Sequence, residues 1–151
     1  MNVSVMRLPQ VHDTVRQGLI SPYIEISLRK GSFAVVGEGH NRWSAAHVSD
    51  VARAYVLAAG KGEPGARYHP VAEEGIEVRA IAEVLGAGFG LPVVSLSPEE
   101  AREHFGWLAI FAGLDLRASS VLTREKLGWK PTGPGLIADL KAMDYRTARA
   151  G

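Results

Sequence analysis

The chain has 151 residues, of which 46% are hydrophobic and 22% are charged, a composition ordinary for a protein with a buried core. Its 17 basic residues nearly balance 16 acidic ones and are scattered along the chain, which argues against a nucleic-acid-binding surface. Cysteine is absent, and no apolar stretch approaches the roughly 18 residues of a membrane span. We therefore expect a cytoplasmic protein without membrane or nucleic-acid partners.

Strand-like and helix-like apolar patterns alternate along the chain. In order, they predict a strand over 3–8, a helix from Ser21 to Gly31, a strand over 33–36, a helix from Ser49 or Asp50 to the glycines at 60 and 62, a strand over 68–71, a helix from Val78 to the glycine cluster 86–90, a strand over 93–96, a helix from Ser97, and helices over 120–127 and 136–145. At Ser97, a proline follows and Glu100 stands three residues on, the pattern of a capping box. Residues 1–151 are expected to form a single α/β unit.

Residues 60–65 match the G-x-G-x-x-G pattern of a dinucleotide phosphate loop. In such loops the pattern follows a strand and opens a helix, whereas here it closes a predicted helix, precedes a strand and contains Pro64. We interpret it as a helix stop followed by a turn.

Other short motifs lack the partners that their chemistry requires. Ser27 and Lys30 have the S-x-x-K spacing of a lysine-activated serine, but the accompanying Ser-Asp-Asn and Lys-Thr-Gly motifs are absent, so a solvated helix end is expected. The five histidines have no H-x-x-x-H spacing, which would place two imidazoles on one helical face. No metal site is predicted.

Three segments together carry a family resemblance: residues 7–12 (RLPQVH), residues 37–52 (GEGHNRW leading to HVSDVA) and residues 127–131 (LGWKP). In order and separation they resemble the C-terminal half of extended short-chain dehydrogenases, in particular the NAD-dependent epimerase/dehydratase group. The resemblance implies a partial Rossmann-like α/β fold with its last strands and a C-terminal substrate-binding lobe, and with the N-terminal nucleotide-binding half missing. It implies NAD or NADP as cofactor, bound incompletely by this chain, and a small-molecule substrate.

The resemblance also implies roles for individual residues. In the family, the Arg-x-Pro segment passes near the nicotinamide and the substrate, which implies Pro9, Val11 and His12 as cofactor contacts. A strand terminator is the alternative for Pro9, and an exposed loop position is the alternative for His12. An arginine before the His-Val-x-Asp segment grips substrate diphosphate in the nucleotide-sugar branch. Arg42 is its nearest equivalent here, and Trp43 is expected to line the same pocket or to pack in the core.

Two departures bear on catalysis. Asp50 resembles the aspartate that starts a helix in the family, and we interpret it as a helix cap because a carboxylate accepts free N–H groups there. The family's glycine-rich turn is not recognisable, and no tyrosine in the chain has a lysine four residues later, the pair that exchanges protons during hydride transfer. No residue of this chain is assigned a catalytic role.

The resemblance therefore implies the substrate-binding portion of an NAD(P)-dependent oxidoreductase acting on a carbonyl or hydroxyl group. A nucleotide-sugar epimerase or dehydratase fragment is one alternative, favoured if Arg42 and Trp43 converge on a diphosphate-sized cleft; a non-catalytic binding module is another. If residues 3–8 form the sixth strand of a parallel sheet, one of its edges lies open in this chain. Self-association as a homo-oligomer, or binding of a complementing N-terminal half, is then expected.

Overall fold

The computed structural model describes residues 3–151. Its strands are β1 (Val5–Met6), β2 (Gln10–His12), β3 (Phe33–Val36), β4 (Arg42–His47), β5 (Arg67–Tyr68), β6 (Glu73–Glu77) and β7 (Val93–Leu96). Its α-helices are α1 (Ile20–Lys30), α2 (Val48–Lys61), α3 (Val78–Phe89), α4 (Pro98–Phe105), α5 (Ala109–Ala112), α6 (Val121–Leu127), α7 (Leu136–Lys141) and α8 (Tyr145–Ala150), with a 3₁₀ turn at Gly106–Leu108. No helix within residues 3–151 has both the length and the apolar character needed to cross a membrane.

The strands form three small sheets. β1 pairs in parallel with β5, and β3 pairs in parallel with β7. The third sheet has the order β2-β4-β6, in which β2 runs parallel and β6 antiparallel to β4. Parallel strands joined through helices define an α/β fold, and the predicted fold class is confirmed.

Two hydrophobic clusters lie on either side of this arrangement. The larger cluster packs α1, α3 and α7 against β3 and β4, and it includes the predicted apolar face of α3 from Val78 to Leu85. The smaller cluster joins Tyr68 and Trp129 to α2 and α6, with Met6 of β1 packed against it. β1 and β5 therefore pack against α2 and not against the larger cluster.

Elements with strong local signals lie where the sequence predicts them. β3 and β7 have the predicted bounds, and Gly31 ends α1 in the left-handed conformation with φ of 76°. At α4, the Ser97 hydroxyl accepts a hydrogen bond from the Glu100 N–H at 3.2 Å, and the Glu100 carboxylate accepts one from the Ser97 N–H at 2.8 Å. The predicted capping box is confirmed.

Several predicted strand bounds are wrong. The strand predicted over 3–8 contains only Val5–Met6, and a second strand begins at Gln10, because Pro9 has no N–H to continue a ladder. The strand predicted over 68–71 is Arg67–Tyr68. β6 was not predicted, since its sequence EEGIE has no alternating apolar pattern.

Some helix predictions are also corrected. α3 continues through the glycine cluster to Phe89, and Gly90 caps it in the left-handed conformation with φ of 68°. Gly86 and Gly88 lie against the Leu91 carbonyl and the Tyr145 ring, where a Cβ atom would clash. The helix predicted over 136–145 is two helices. The break falls before Asp144, whose carboxylate accepts the N–H groups of the first turn of α8.

The G-x-G-x-x-G match at 60–65 lies at the end of α2, and the S-x-x-K match at Ser27 lies within α1. In the 60–65 pattern, α2 ends at Lys61 and Gly65 occupies a turn with φ of 74° before β5, so the helix-stop interpretation is confirmed. Ser27 is fully buried rather than solvated, because it lies on the face of α1 that packs toward the core.

Candidate functional site

Two adjoining cavities form a groove beside Pro9. The inner cavity, of about 390 Å³, is lined by Arg7, Leu8, Pro9, Gln10, Leu19, Ser44, His69, Val71, Phe111, Asp115, Leu116, Arg117 and Ala118. The outer cavity, of about 510 Å³, is lined by Arg67, His69, Arg117, Ala118, Ser119, Val121, Leu122 and Thr123. The two cavities adjoin, because His69, Arg117 and Ala118 line both. Each falls within the size range of small-molecule sites.

One wall of the groove is the irregular segment 114–118, which β4 holds in place. The N–H of Leu116 donates to the Arg42 carbonyl at 2.7 Å, and the Ser44 N–H donates to the Leu116 carbonyl at 3.1 Å. The indole N–H of Trp43 donates to the Leu114 carbonyl at 3.2 Å. Because both backbone and side-chain bonds fix the segment, this wall is preformed.

The opposite wall is the connection from β1 to β2. Pro9 is half-buried and lines the inner cavity, and Gln10 beside it is nearly buried. The Gln10 side-chain oxygen accepts the Leu19 N–H at 2.8 Å, which ties this wall to the start of α1. Val11 lies half-buried on β2 opposite Ala46. Of the three residues that the resemblance implies as cofactor contacts, only Pro9 lies in the groove lining.

His12 lies in a buried cluster and not on an exposed loop. Its ring is 1% exposed, and its Nδ1 is 2.6 Å from Oδ2 of Asp139 on α7. Nε2 of His47 lies 3.7 Å from the same oxygen. The Ser49 N–H donates to Nδ1 of His47, so in its neutral form His47 carries its proton on Nε2, toward Asp139. The His12 ring therefore joins β2 to α7, and a contact with cofactor remains a prediction.

Arg42 and Trp43 do not converge on one cleft, because successive residues of a strand project to opposite faces. The Arg42 guanidinium pairs with Glu77 at 2.8 Å and donates to the Gly75 carbonyl at 3.3 Å, outside the lining of the groove. The Trp43 side chain is buried in the larger cluster. The backbone of Arg42 and the indole of Trp43 instead form hydrogen bonds to segment 114–118, which is one wall of the groove.

Asp50 is not the cap of α2, which corrects the sequence interpretation. His47 is the N-cap, and Asp50 stands in the first helical turn with its side chain almost fully buried. Its two carboxylate oxygens accept the N–H groups of Thr132 and Gly133, each at 2.9 Å, and it pairs with Arg53. Asp50 therefore binds the segment after α6 to α2. We refer to Asp50 and Asp139 as the carboxylate anchors.

The charged residues of the groove are three arginines and one aspartate. Arg117 pairs with Asp115 at 2.8 Å, and both side chains are well exposed. Within residues 3–151, the side chains of Arg7 and Arg67 make no hydrogen bond or ion pair. The groove consequently presents positive charge that the described part of the chain does not neutralise.

Three groove residues were missed by sequence reasoning: Arg67, His69 and Arg117. Arg67 and His69 flank Tyr68 at the strand predicted over 68–71, and their spacing of two is the signal for a shared face. Arg117 stands in a segment without apolar periodicity. No sequence signal placed it opposite β5.

Relatives of this chain were found by sequence, although no protein-family profile matches it. It is 42% identical over 146 residues to an uncharacterized protein of Schizosaccharomyces pombe and 36% identical over 143 residues to one of Saccharomyces cerevisiae. These matches cover 96% and 94% of this chain, but 50% and 48% of the yeast proteins. The chain thus spans about half the length of the curated relatives it matches.

Solved structures similar to this chain include a dehydratase and an epimerase of sugar nucleotides. It matches the dTDP-glucose 4,6-dehydratase DesIV of Streptomyces venezuelae, solved with NAD, with a TM-score of 0.71 and 19% identity, over 99% of this chain and 44% of that one. The match to the UDP-glucuronic acid 4-epimerase of Bacillus cereus, solved with NAD and UDP-glucuronic acid, has a TM-score of 0.69 and 15% identity and covers 99% of this chain and 46% of that one. The match to RMD of Pseudomonas aeruginosa, solved with NADPH, has a TM-score of 0.61 and 19% identity and covers 98% of this chain and 48% of that one.

These similarities show the fold. The chain has an α/β fold that matches the C-terminal part of Rossmann-like dehydratases and epimerases, about half of each of those chains. The prediction of an α/β fold that matches the C-terminal part of Rossmann-like enzymes is confirmed. Two of these neighbours bind NAD and one binds NADPH, as their structures record.

Proposed function

We propose that this chain is the substrate-binding portion of an NAD(P)-dependent oxidoreductase that acts on a carbonyl or hydroxyl group. The observation that carries the proposal is the groove beside Pro9, in a fold that superposes over 99% of its length on an NAD-bound enzyme. The segment that the family resemblance links to nicotinamide and substrate forms one wall of this groove. A substrate in the inner cavity would lie against that segment.

The chemical step is proposed to depend on a nucleotide-binding half. Hydride transfer to a carbonyl needs a group that supplies a proton to the forming alkoxide, and a tyrosine with a lysine-lowered pKa is the usual solution in this family. Burial raises the pKa of Tyr23, and its hydroxyl donates to the Ala34 carbonyl at 2.9 Å within the core. Its place in the core is unsuited to that role.

The proposed partner surface lies on β1 and α2. β1 pairs with β5 on one side only, within the described residues. Val5 on β1, Leu8 shortly after it, and Tyr55 and Val56 on α2 have exposed apolar side chains. A cavity of about 280 Å³ is lined by Met6 of β1 and by Tyr55 and Ala58 of α2. An unpaired strand edge next to apolar side chains suits one further parallel strand. We propose that the nucleotide-binding half supplies it.

A chimera tests the proposed function. This chain would replace the matching half of the Schizosaccharomyces pombe relative, to which it is 42% identical, and the purified chimera would be titrated with NADH and NADPH by fluorescence. We expect saturable dinucleotide binding and turnover of a carbonyl substrate by the chimera, and neither by the chain alone. Turnover by the isolated chain that is lost on substitution of a groove residue would contradict the proposal.

A nucleotide-sugar epimerase or dehydratase is the second candidate, and the sugar-nucleotide enzymes among the structural neighbours favour it. Titration of the chimera with UDP-glucose and dTDP-glucose distinguishes the two. Tight binding of either sugar nucleotide, with interconversion detected by NMR, would favour the second candidate. Turnover confined to simple carbonyl compounds would favour the first.

A further inference from the structure

The outer cavity brings together charged side chains from two separate parts of the chain. Arg67 reaches it from β5, and Arg117 reaches it from the irregular segment between α5 and α6. Arg7 lines the inner cavity, and Arg117 lies where the two cavities meet. Asp115 is the only acidic residue among the lining residues within 3–151. The electrostatic potential in the groove is therefore expected to be positive.

The register of the β1–β5 pair explains why this charge gathers on one side. Val5 stands opposite Arg67, so the two side chains share a face of the pair. By alternation, Arg7 and His69 project to that same face. Met6 and Tyr68 project to the other face and pack in or against the smaller hydrophobic cluster. The face with the basic residues is the one that borders the groove.

Several arginines elsewhere in the protein have internal partners. Arg42 pairs with Glu77, and Arg53 pairs with Asp50. Arg67, by contrast, is exposed and makes no hydrogen bond or ion pair with any described residue. Arg117 gives one N–H group to the exposed Asp115, which leaves most of its donors available. A lone exposed arginine is common on surfaces, whereas Arg67 and Arg117 line the same cavity and both contribute positive charge to it.

Apolar side chains complete the outer cavity. Val121 and Leu122 at the start of α6 are 55% and 68% exposed, and both line the cavity together with the two arginines. Leu8 lines the inner cavity and is also exposed. An anion that carries only hydration water would leave these side chains uncovered, whereas an apolar group attached to the anion would bury them.

We infer that the outer cavity is a substrate subsite for an organic anion. Arg67 and Arg117 bind its carboxylate or phosphate group, and Val121 and Leu122 contact an apolar body attached to that group. The inference rests on the proposed function in one respect, because it places the reacting carbonyl or hydroxyl group of the same molecule in the inner cavity beside Pro9. Arg67 and Arg117 are therefore assigned as specificity-determining residues.

Binding to the chain itself tests the subsite without catalysis. Isothermal titration at low ionic strength would compare 3-phenylpropionate and phenyl phosphate with the uncharged 3-phenylpropanamide. We expect both anions to bind at least about tenfold more tightly than the amide, a difference that one charge-assisted hydrogen-bonded pair supplies. Added salt should weaken the binding of both anions and leave the affinity for the amide unchanged.

Variants assign the binding to particular side chains. Arg67→Ala and Arg117→Ala are each expected to lower the affinity for phenyl phosphate about tenfold, and Arg67→Lys, which keeps the charge without the planar fork, should lower it less. Arg102→Ala on α4 is the matched control, because Arg102 is exposed and lies outside the groove. Leu122→Ser should weaken the binding of phenyl phosphate and leave the affinity for inorganic phosphate unchanged. Val15→Ser is its control, because Val15 is exposed and lies outside the groove.

Several outcomes would overturn the subsite. They are equal binding of the amide and the anions, unchanged affinity in both arginine variants, and inorganic phosphate binding as tightly as phenyl phosphate. Tighter binding of UDP-glucose than of either aromatic anion would also overturn it, in favour of a sugar-nucleotide site. If the aromatic anions bind as expected but the chimera fails to bind NAD(P)H, the subsite stands and the proposed oxidoreductase function does not.

Discussion

The carboxylate anchors and the groove are both rich in charge, but they use it in opposite ways. Asp50 and Asp139 are buried, and each is surrounded by donors from distant parts of the chain. Arg67 and Arg117 in the groove are exposed, and Arg67 has no partner within the described residues. A buried charge must be compensated internally, or the fold loses stability. An exposed charge without a partner contributes little to stability and remains available for a ligand.

The largest effect on the free energy of unfolding is expected at Asp50. Asp50→Ala leaves the N–H groups of Thr132 and Gly133 without their acceptor, and hydrogen bonds to a charged group are worth about 1.5–3 kcal/mol each. Some rearrangement will recover part of this. We expect the free energy of unfolding, measured by urea denaturation, to fall by about 3 kcal/mol.

Glu103→Ala is the matched control for Asp50→Ala. Glu103 is an exposed carboxylate on α4, and its removal should change the free energy of unfolding by less than about 0.5 kcal/mol. An equal loss in the two variants would show that Asp50 has no anchoring role. It would also remove the distinction drawn between buried and exposed charges.

Asp50 shows where sequence reasoning reached its limit. The sequence predicted a helix cap at this residue, whereas the partners of its carboxylate lie 82 and 83 residues further along the chain, and no local pattern specifies them. The capping box at Ser97 lies within four consecutive residues and was predicted in full. The accuracy of each prediction follows from how local its stabilising contacts are.

The candidate site divides in the same way. Pro9 was selected from one short segment of the family resemblance, and it lines the groove, while its contact with a cofactor stays a prediction. Arg117 joins the groove only because β4 binds segment 114–118 through its backbone, a pairing that the sequence does not show. Arg42 was selected by its position before a motif. Its engagement by Glu77, on the unpredicted strand β6, could not be foreseen.

A somewhat smaller effect is expected at the second anchor. Asp139→Ala removes the acceptor of the buried His12 Nδ1 and separates α7 from β2. One buried donor left without a partner costs about 1–3 kcal/mol, so we expect a loss of about 2 kcal/mol in urea denaturation. Phenyl phosphate binding measured below the transition should be unchanged. A loss of binding without a loss of stability would instead place Asp139 in the groove's function.

The capping box at α4 is an intermediate case, an exposed carboxylate with internal donors. Ser97→Ala should lower the free energy of unfolding by about 1 kcal/mol through loss of the cap. Hydrogen bonds from the Ser97 backbone and side chain hold the pKa of Glu100 below its usual value. A lowered folded-state pKa means that the ionised carboxylate stabilises the fold above its unfolded pKa, and that this contribution disappears as the pH falls through the folded-state pKa.

Glu100→Gln tests that pH dependence. The wild type should be more stable than the variant at neutral pH, and the difference should narrow as the pH falls through the lowered pKa of Glu100, where its carboxylate becomes protonated. Thermal melts from pH 7 to pH 3 measure it. A difference that stays constant over this range would mean that the charge of Glu100 has no part in the cap.

The smallest expected effect on stability is at Arg67, and it completes the comparison. The side chain is exposed and makes no contact that the fold depends on, so Arg67→Ala should change the free energy of unfolding by less than about 0.5 kcal/mol. The substitution removes one positive charge from the groove, and the variant should retain its melting temperature while losing affinity for phenyl phosphate. Asp50→Ala should do the reverse under conditions where it stays folded. Measuring both variants for both properties therefore tests whether charge placed for stability and charge placed for binding are separable in this fold. A large loss of stability in Arg67→Ala would mean that the arginine has a structural partner, and the groove would then resemble the anchors instead of contrasting with them.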